Sequence, residues 1–591
     1  MATTESETKT RNQVDPIVFG VAGASVLAFI VWGFVAPGNL SSVASNILNW
    51  ILVDLGWLFL LAALGFVAFA AYLALSKYGK IPLGRDGEAP EFRTSSWIAM
   101  MFAAGMGIGL VFYGAAEPIA HFVDAPPGMS AKDVSIAMAT TMFHWGFHPW
   151  AIYSVVGLAV AYSCYRCGRS QLMSSVFAPV FNKTGGAGVA GRAIDILAIF
   201  ATLFGTTASL GLGASQVGAG LKKLGIVEDG SARMVLVAII AVLTALFVAS
   251  AVSGVAKGIQ LLSNINMIVA LVLAVFVFVV GPTVFILNVM PTTLGAYLSD
   301  FLAMSSRTAA NNPGSEDWLG TWTIFYWAWW VSWTPFVGVF LAKISKGRTI
   351  REFVTGVMLV PTSVSLVWFA IFGGTALHAE QTNPGSVSGA GSSEDVLFAT
   401  LDSLWLPGVA TVIVCILIGV FFITSADSAS VVLGTLSERG SQEPSKWVTV
   451  FWGVLIGAVA ALLLWAGGDG TSALNGIKTM AIIAALPFLI IMIGMCFSLL
   501  LDLRNDPLVQ AHNYRYDQLD SRVRVHANTI AVTDDTEVLP SEELQVYSDG
   551  QVPEDLYYPE LTTELVEVDV FVDENGDANA GGTPVKEPRE S

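Results

Sequence analysis

The sequence predicts an all-α membrane protein with twelve transmembrane helices, and three observations lead to this prediction. The chain of 591 residues is 54% hydrophobic and only 13% charged, with a mean hydropathy of +0.65, which is typical of a protein that crosses the membrane many times. Apolar runs of about 20 residues, the length needed to cross the hydrocarbon, recur along the chain. A short segment in the fifth run also resembles a segment in the tenth, which indicates an inverted repeat.

The apolar runs define the predicted spans. The first run begins near Ile17 and continues past Trp32, which is too long for the core of a signal peptide, so we interpret it as a retained span. A shorter amphipathic stretch from Thr293 to Met304 is predicted to lie on the membrane surface. The predicted spans are residues 17–36, 55–76, 96–116, 134–163, 193–221, 234–252, 259–289, 318–343, 353–377, 408–436, 447–466 and 472–501.

The charges of the short loops predict the orientation, because basic residues favour the cytoplasmic side. The loops after the second, fourth and eighth spans are basic, whereas those after the third and ninth are acidic. This alternation places both termini in the cytoplasm. The basic residues are Lys77, Lys80, Arg85, Arg93, Arg166, Arg169, Lys183, Lys343, Lys346, Arg348 and Arg351, and the acidic residues are Asp124, Asp133, Glu380, Glu394 and Asp395.

The internal repeat relates the fifth span to the tenth. Residues 204–209, Phe-Gly-Thr-Thr-Ala-Ser, resemble residues 422–427, Phe-Ile-Thr-Ser-Ala-Asp. Because five is an odd number of spans, the two repeats would have opposite topology and a pseudo-two-fold axis in the membrane plane. The predicted organisation is a cytoplasmic N-terminal segment (1–16), two peripheral helices (17–95), a first repeat (96–292), an amphipathic surface helix and loop (293–317), a second repeat (318–501) and an acidic cytoplasmic tail (502–591).

Charge and cysteine content argue against several classes of function. Residues 501–591 hold 21 Asp and Glu against six Lys and Arg, so this tail carries −15 of the net charge of −17. Such a tail gives no argument for a nucleic-acid partner and is not suited to binding anionic lipid through basic charge. Cys164 and Cys167 form one C-x-x-C pair without a second pair to complete a zinc site, and we expect reduced thiols. No nucleophile–base pair or metal cluster emerges from the spans, so an enzyme is not expected.

Two aromatic clusters are the strongest indication of a ligand site. Indole faces attract a permanent cation through the ring quadrupole, by roughly 0.5–2 kcal/mol per ring. A single tryptophan is more often an interfacial anchor or a core residue, but two clusters in one membrane protein favour a cationic ligand without a proton to donate. The fourth span carries Trp145, Trp150 and Tyr153, and the eighth carries Trp327, Trp329, Trp330 and Trp333.

The third span contains Gly105, Gly107 and Gly109. Glycines in a spanning helix often allow another helix to approach closely. Three at alternate positions also make the helix easy to unwind, which would leave backbone carbonyls free to contact a cation or a ligand. Both interpretations stay open, and we favour the interrupted helix.

Paired hydroxyls predict ion sites. Thr424 and Ser425 place two hydroxyls side by side in the tenth span. Such groups usually bond to their own helix, but with carbonyls from an unwound third span they would offer the hard oxygen ligands that Na⁺ prefers. Thr202 and Thr206, which are four residues apart on the fifth span, are a symmetry-related candidate for a second ion.

Few ionisable residues lie within the spans. Asp427 lies inside the tenth span, Glu117 ends the third, and His144 and His148 flank a tryptophan of the fourth. A buried ionisable group is a functional candidate by default. Asp427 could instead cap the backbone of a broken helix, and both histidines could simply bridge helices.

Four motifs resemble the betaine/choline/carnitine transporter family. The resemblance covers about Ile17 to Asp502 and is greatest to the sodium-coupled glycine betaine symporters of that family. It implies a LeuT-like 5+5 inverted repeat with two extra N-terminal helices, assembled as a homotrimer in the bacterial inner membrane. The motifs are Gly-Met-Gly-Ile-Gly (105–109), Phe-His-Trp-x-x-His-Pro-Trp-Ala-Ile-Tyr (143–153), Tyr-Trp-Ala-Trp-Trp-x-Ser-Trp-x-Pro-Phe (326–336) and Phe-Phe-Ile-Thr-Ser-Ala-Asp-Ser-Ala-Ser (421–430).

The resemblance also implies roles for individual residues. The aromatic box around a trimethylammonium group would consist of Trp145, Trp150, Tyr153 and Trp330. The substrate pathway beside it would be lined by Trp329, Trp333, Gly105, Gly107 and Gly109. One Na⁺ would be bound by the carbonyls of Ala103, Met106 and Phe421 and the hydroxyls of Thr424 and Ser425, and a second by Thr202 and Thr206 near Phe336.

The function implied by the resemblance is Na⁺-coupled uptake of a compatible solute, with glycine betaine first and no cofactor beyond the coupling ion. Gly109 stands where proton-coupled choline carriers of the family tend to have an acid, which favours a zwitterion. Ectoine, proline or carnitine carriers, a sodium-independent exchanger of quaternary amines, and a non-transporting sensor or channel are the alternatives. The acidic tail differs from the basic tail of the osmosensing betaine carrier, so the mode of osmotic regulation in that carrier cannot be transferred.

Overall fold

This computed structural model describes residues 14–105, 107–181, 188–253, 256–310, 312–467, 471–511, 571–572 and 578–579, and nearly all of them are helical. Contacts divide the chain into two compact units, residues 1–513 and 514–591. In the second unit, β1 (Phe571–Val572) pairs antiparallel with β2 (Ala578–Asn579). The helices of the first unit are α1 (Pro16–Val35), α2 (Pro37–Trp50), α3 (Gly56–Leu75), α4 (Thr94–Gly105), α5 (Ile108–Val123), α6 (Val134–Trp145), α7 (Phe147–Ala161), α8 (Ala178–Phe181), α9 (Val189–Lys223), α10 (Arg233–Ser253), α11 (Ala256–Val280), α12 (Thr283–Ser299), α13 (Phe301–Ser305), α14 (Glu316–Leu319), α15 (Phe325–Ile344), α16 (Ile350–Thr382), α17 (Ser393–Asp402), α18 (Pro407–Ser437), α19 (Lys446–Ala466) and α20 (Thr471–Arg504).

The helices establish a multi-pass membrane protein. Within the described residues, nine helical segments are long and apolar enough to cross a membrane, or ten if one bent pair counts as a single span. The twelve predicted runs all fall on helices, and the three that are missing from the nine are interrupted or bent. Twelve crossings and the five-plus-five repeat therefore stay predictions.

The third predicted span is interrupted within its glycine-rich segment. Helix α4 ends at Gly105 and α5 begins at Ile108, and Gly107 between them has extended backbone (φ −161°). A side chain at Gly109 would place its Cβ 2.5 Å from Cη2 of Trp329 and 2.9 Å from Cη2 of Trp145. The absence of a side chain there allows the start of α5 to lie directly against two indole rings.

The fourth predicted span is also two helices, which the sequence analysis did not anticipate. Helix α6 ends at Trp145 and α7 begins at Phe147. Pro149 has no amide hydrogen to continue the helical ladder, and the amide of Phe147 instead donates to the hydroxyl of Tyr297 at 2.9 Å. The non-helical backbone of Gly146 (φ −98°, ψ −126°) separates Trp145 from the aromatic residues of α7.

The seventh predicted span ends in a sharp bend. Helices α11 and α12 meet at 109° across Gly281 and Pro282, and proline is well suited to the start of a new helix. The amphipathic stretch predicted from Thr293 belongs to α12, which begins earlier, at Thr283. Residues 293–304 are therefore not an independent helix.

Small residues bring the two helices with aromatic clusters, α7 and α15, into close contact. A Cβ at Gly338 of α15 would lie 2.7 Å from Cγ1 of Val156 on α7, and one at Gly157 of α7 would lie 3.5 Å from Cβ of Leu341 on α15. Close backbone approach of this kind is the usual way for helices to pack within a membrane. Aromatic side chains of both helices line one space.

The segment that follows α7 is tied to the end of α20 by ion pairs. The Nε of Arg166 lies 3.0 Å from Asp506, and Arg169 donates to Asp502 at 2.9 Å. Cys167, which lies between these arginines, is a free thiol with exposed surface, and partial loss of hydration at its sulfur, together with the carboxylates of Asp502 and Asp506, raises its pKa to about 11. A thiol that stays protonated at neutral pH is a poor nucleophile and a poor metal ligand.

Candidate functional site

A cavity of about 340 Å³ lies among α5, α7, α11, α15 and α18. It brings together most of the side chains that the sequence analysis selected. Those lining it are Trp145, Trp150, Tyr153, Trp329, Trp330, Trp333, Gly107, Gly109, Phe336, Phe421, Thr424 and Ser425. Met106 lies outside the described residues, and for Ala103 and Gly105 only the helical backbone is described, so the structure does not place these three predicted site residues in the cavity.

Trp330 is at the centre of the aromatic wall. Its ring centroid lies 5.0 Å from that of Trp145 and 5.7 Å from that of Tyr153, with interplanar angles of 85° and 86°. Trp150 is 5.4 Å from Tyr153, at 70°, and Trp329 stacks on Trp330 at 5.3 Å. Mutually perpendicular rings direct several faces into one volume, and such a box suits a cation that is held by ring faces.

Hydrogen bonds of the indole nitrogens fix the orientation of these rings. Nε1 of Trp330 donates to the backbone carbonyl of His144 at 3.0 Å, and Nε1 of Trp329 donates to the hydroxyl of Ser209 at 3.1 Å. The indole nitrogen of Trp333 is buried without a partner among the described residues. Because their N–H groups are engaged, Trp330 and Trp329 can offer a ligand a ring face but not a hydrogen-bond donor.

The buried carboxylate of Glu117 holds several side chains of the aromatic box in place through hydrogen bonds. It accepts hydrogen bonds from Nε1 of Trp145 at 2.7 Å, from the hydroxyl of Tyr326 and from Nδ1 of His144 at 2.7 Å. Nε2 of His121 lies 3.3 Å from the same carboxylate. The sequence analysis named Glu117 among the ionisable candidates of the spans but assigned it no partner. The available signal was His121, four residues later on the same helix face.

The same group of side chains has the composition of a metal site. The ligand atoms of Glu117, His121 and His144 lie within 4.8 Å of one another. Both carboxylate oxygens, however, already accept hydrogen bonds, and His144 also contacts the hydroxyl of Thr323 through Nε2 at 3.0 Å. These hydrogen bonds account for the arrangement as a support for the aromatic rings, without a metal.

Helix α18 contributes the oxygen-rich part of the cavity. Phe421, Thr424 and Ser425 line it, as does Gly107 at the interruption between α4 and α5. Oγ1 of Thr424 donates to the carbonyl of Val420 at 3.0 Å, which leaves the lone pairs of the hydroxyl free to contact a cation. The structure thus brings the broken helix and the paired hydroxyls to one cavity.

The residues of the predicted second ion site do not all line the cavity. Thr202 and Thr206 are buried in α9, and their hydroxyls donate to the carbonyls of Ala198 at 2.8 Å and Thr202 at 2.7 Å. Neither threonine lines the cavity, whereas Phe336 does. The structure does not bring these three residues together in the cavity.

Several polar or ionisable residues have positions that the sequence did not reveal. Asn264 and Asn266 of α11 line the cavity, and Nδ2 of Asn266 is buried without a partner among the described residues; two polar residues in an apolar helix were the available signal. His148 contacts Ser305 at 3.0 Å and stacks on Trp327, as a residue bridging helices would.

Fold and cavity together define a multi-pass membrane protein whose interior holds a box of aromatic rings edged by hydroxyl oxygens. The family model of the betaine/carnitine/choline family transporters matches residues 17–508. The chain therefore belongs to this family. Members of the family are transporters, and this chain is accordingly a transporter and not an enzyme.

Characterised relatives are similar over most of the chain. The betaine/ectoine transporter LcoP of Corynebacterium glutamicum is 44% identical over 508 residues, which is 85% of this chain and 80% of LcoP. The glycine betaine transporter OpuD of Bacillus subtilis is 45% identical over 487 residues, 82% of this chain and 93% of OpuD. Glycine betaine transporter 1 of Vibrio parahaemolyticus is 40% identical over 499 residues, 83% of this chain and 94% of that protein.

Proposed function

We propose that the chain is a secondary active transporter that couples the uptake of a compatible solute to Na⁺, with glycine betaine as the preferred solute. The observation that carries this proposal is the box of perpendicular rings around Trp330. Among the described residues, no carboxylate and no basic side chain lines the cavity. A quaternary ammonium has no proton to donate, so ring faces rather than hydrogen-bond acceptors are the appropriate wall for it.

The relatives support the class of solute. LcoP is a betaine and ectoine transporter, and OpuD is a glycine betaine transporter. Ectoine is therefore the second candidate solute, whereas proline and carnitine do not appear in the names of these two relatives. All are small solutes that a cavity of about 340 Å³ can enclose.

The oxygen atoms at the edge of the cavity support Na⁺ as the coupling ion. The proposed first site consists of the carbonyls of Ala103, Met106 and Phe421 and the hydroxyls of Thr424 and Ser425. The described part of that set, on α18, faces the interruption of the third span. The proposed second site, at Thr202, Thr206 and Phe336, rests on the resemblance and on the repeat of the sequence.

The coupling follows from which helices the ion would join. Na⁺ bound between the α4–α5 interruption and α18 would stabilise the state in which the cavity is open to the outside. The solute would then complete the aromatic box, and one five-helix repeat would rock against the other. In this proposal the protein is a homotrimer in the bacterial inner membrane with both termini in the cytoplasm.

Transport by purified protein in proteoliposomes tests the proposal. Labelled glycine betaine should accumulate with an inward Na⁺ gradient and should not accumulate when K⁺ replaces Na⁺. Unlabelled ectoine, proline, carnitine and choline then rank the solutes by competition. Equal exchange with and without Na⁺ would make the protein an exchanger and refute the Na⁺ site.

A double variant tests the ion ligands themselves. Removing the hydroxyls of Thr424 and Ser425 (T424A/S425A) deletes two contacts of about 1 kcal/mol each, so the Na⁺ concentration for half-maximal uptake should rise about 30-fold. The matched control is T355A/S363A on α16, because those exposed hydroxyls bond only to their own helix. Wild-type Na⁺ dependence in T424A/S425A would show that the ion is bound elsewhere.

A further inference from the structure

A second cavity, of about 220 Å³, lies where the end of α9 meets the start of α10 and the loop before α17. No residue lines both this cavity and the aromatic one. Part of its wall is the acidic loop with Glu394 and Asp395, which the loop charges predict on the outer side of the membrane. The proposed transport cycle gives this cavity no role.

The wall of the second cavity is negatively charged and rich in oxygen. Asp229, Glu394 and Asp395 line it against a single lysine, Lys222. Within the part of the chain that the structure describes, no aromatic ring lines it, so it lacks the ring faces that suit a quaternary ammonium. Carboxylate and hydroxyl oxygens without aromatic rings are instead the surroundings that Mg²⁺ and Ca²⁺ prefer.

Two buried oxygens at this wall have no hydrogen-bond partner. Ser215 lines the cavity and is 8% exposed, and no hydrogen bond joins its hydroxyl to another described residue. The next residue, Gln216, is fully buried; its Nε2 donates to the carbonyl of Glu394 at 2.8 Å, but its Oε1 has no partner in the described structure. A buried acceptor without a donor is costly, which indicates a ligand that brings donors with it.

The size of the cavity favours an ion that keeps its water. At about 30 Å³ per water molecule, 220 Å³ encloses an ion with several waters. Mg²⁺ loses its waters reluctantly and is usually held by one or two carboxylates. Waters bound to a metal ion donate hydrogen bonds, so a hydrated ion satisfies hydroxyl and amide oxygens as well as carboxylates.

We propose that this cavity is a binding site for a hydrated divalent cation, with Mg²⁺ as the preferred ion. Glu394 and Asp395 supply the attracting charge, and the bound waters donate to Ser215 and Asp229. The ion links α9 to the first turn of α17. These two helices already contact each other through the bond from Gln216 to the carbonyl of Glu394 and through the ion pair of Lys223 with Asp402.

The position of the ion also predicts regulation. Helix α9 belongs to the first predicted repeat and α17 to the second, so an ion that links them on the outer side should oppose the movement of one repeat against the other. This consequence rests on the proposed function, whereas binding of the ion does not.

The first test is isothermal titration of the purified full chain with MgCl₂ in Na⁺ buffer at constant ionic strength. The Kd should rise at least about tenfold in E394Q/D395N, because contacts with charged oxygens are weakened, and about threefold in Ser215→Ala. The matched control is E316Q/D317N, which removes two neighbouring carboxylates from the first turn of α14 outside the cavity and should bind like the wild type. The acidic tail is the same in all four proteins.

Competitors identify the form of the ligand. Hexaamminecobalt(III) resembles hydrated Mg²⁺ but does not exchange its ligands, so it should displace Mg²⁺ from the wild type. Failure to compete would overturn the hydrated ion. Displacement by putrescine at the same concentration as Mg²⁺ would overturn the assignment to a metal ion in favour of an organic cation.

The second test is uptake by proteoliposomes with MgCl₂ outside. The maximal rate of glycine betaine uptake should fall in the wild type and in E316Q/D317N, with the KM unchanged, and should not fall in E394Q/D395N. Equal Mg²⁺ affinity in the wild type and E394Q/D395N would overturn the site, and binding without slower uptake would overturn the link between α9 and α17. Uptake that does not require Na⁺ would refute the proposed function alone, because the titration does not depend on transport.

Discussion

Glu117→Leu should weaken solute binding strongly, whereas Glu117→Gln should be tolerated. The carboxylate of Glu117 accepts a hydrogen bond from the indole of Trp145 at 2.7 Å and another from the hydroxyl of Tyr326. An indole nitrogen can only donate, so leucine leaves the N–H of Trp145 buried and unpaired, at about 1–3 kcal/mol. If the Trp145 ring moves to relieve that cost, the aromatic box loses one of its walls, and the KM for glycine betaine should rise about tenfold or more.

Glutamine can replace the carboxylate because its amide offers one acceptor and one donor group, and the side chains around Glu117 can use both. Its amide oxygen can accept from Trp145 and Tyr326. Its NH₂ group can donate to His144, since a neutral imidazole can accept at Nδ1 and donate at Nε2 to Thr323, which lies 3.0 Å away. We therefore expect the KM of Glu117→Gln to stay within about threefold of the wild type.

Uptake kinetics and thermal unfolding of the same preparations separate binding from stability. The control is Glu380→Leu, because Glu380 is also a buried carboxylate that accepts from Gly385, Val387 and Ser388, far along the chain from the aromatic box. It should lower the Tm and leave the KM unchanged. A wild-type KM in Glu117→Leu, or a Glu117→Gln variant as impaired as Glu117→Leu, would refute the reasoning from hydrogen bonds.

Three further predictions concern other parts of the molecule. Gly109→Ala places a methyl group 2.5 Å from Trp329, and overpacking of about 1–3 kcal/mol should raise the KM for glycine betaine at least about fivefold; an unchanged KM in the uptake assay would contradict the close contact. Burial raises the pKa of the Asp15 carboxyl, but two amide hydrogens of α1 and the guanidinium of Arg192 lower it by more, so that it lies below its ordinary value. The stabilisation from Asp15 is complete above the unfolded-state pKa of about 3.9 and is lost as the pH falls through the folded-state pKa, so the Tm difference between wild type and Asp15→Asn should shrink in acid; a constant difference would contradict this. Because the pKa of the exposed Cys167 thiol is raised to about 11, maleimide should label this thiol slowly at neutral pH and faster as the pH approaches that value, as mass spectrometry can follow; a rate that does not change with pH would contradict it.

The aromatic part of the site was predictable from the sequence because both of its clusters are local. Trp145, Trp150 and Tyr153 lie within nine residues of the chain, so they stay near one another even though a break at Gly146 separates Trp145 on α6 from the other two on α7. The hydropathy of the spans then places them inside a membrane protein. Gly109 was selected because it is one of three glycines at alternate positions on the third span. The structure gives a physical reason for a glycine there, since a Cβ would lie 2.5 Å from Cη2 of Trp329.

The role of Glu117 could not be predicted, because its partners come from distant segments. Tyr326 is 209 positions away along the chain, and nothing in the spacing of either residue indicates the other. A single sequence shows which residues share a helix face, but it does not show which helix lies opposite.

Helix interruptions were only partly predictable. Gly105, Gly107 and Gly109 predicted the break near Gly107, because a run of glycines makes a helix easy to unwind. The break at Gly146 was missed because an apolar run continues across it, although Pro149 was a signal. The bend at Pro282 was also missed, since hydropathy measures burial in lipid and does not register a change of direction.

Equilibrium binding of glycine betaine to the purified protein in Na⁺ tests the central claim, that the box around Trp330 is the solute site. Isothermal titration should give a Kd that rises at least about tenfold in Trp330→Ala, because ring faces supply the attraction for the ammonium. Trp447→Ala, which removes an indole that is 56% exposed, should bind like the wild type. Equal affinity in Trp330→Ala and the wild type would contradict the account.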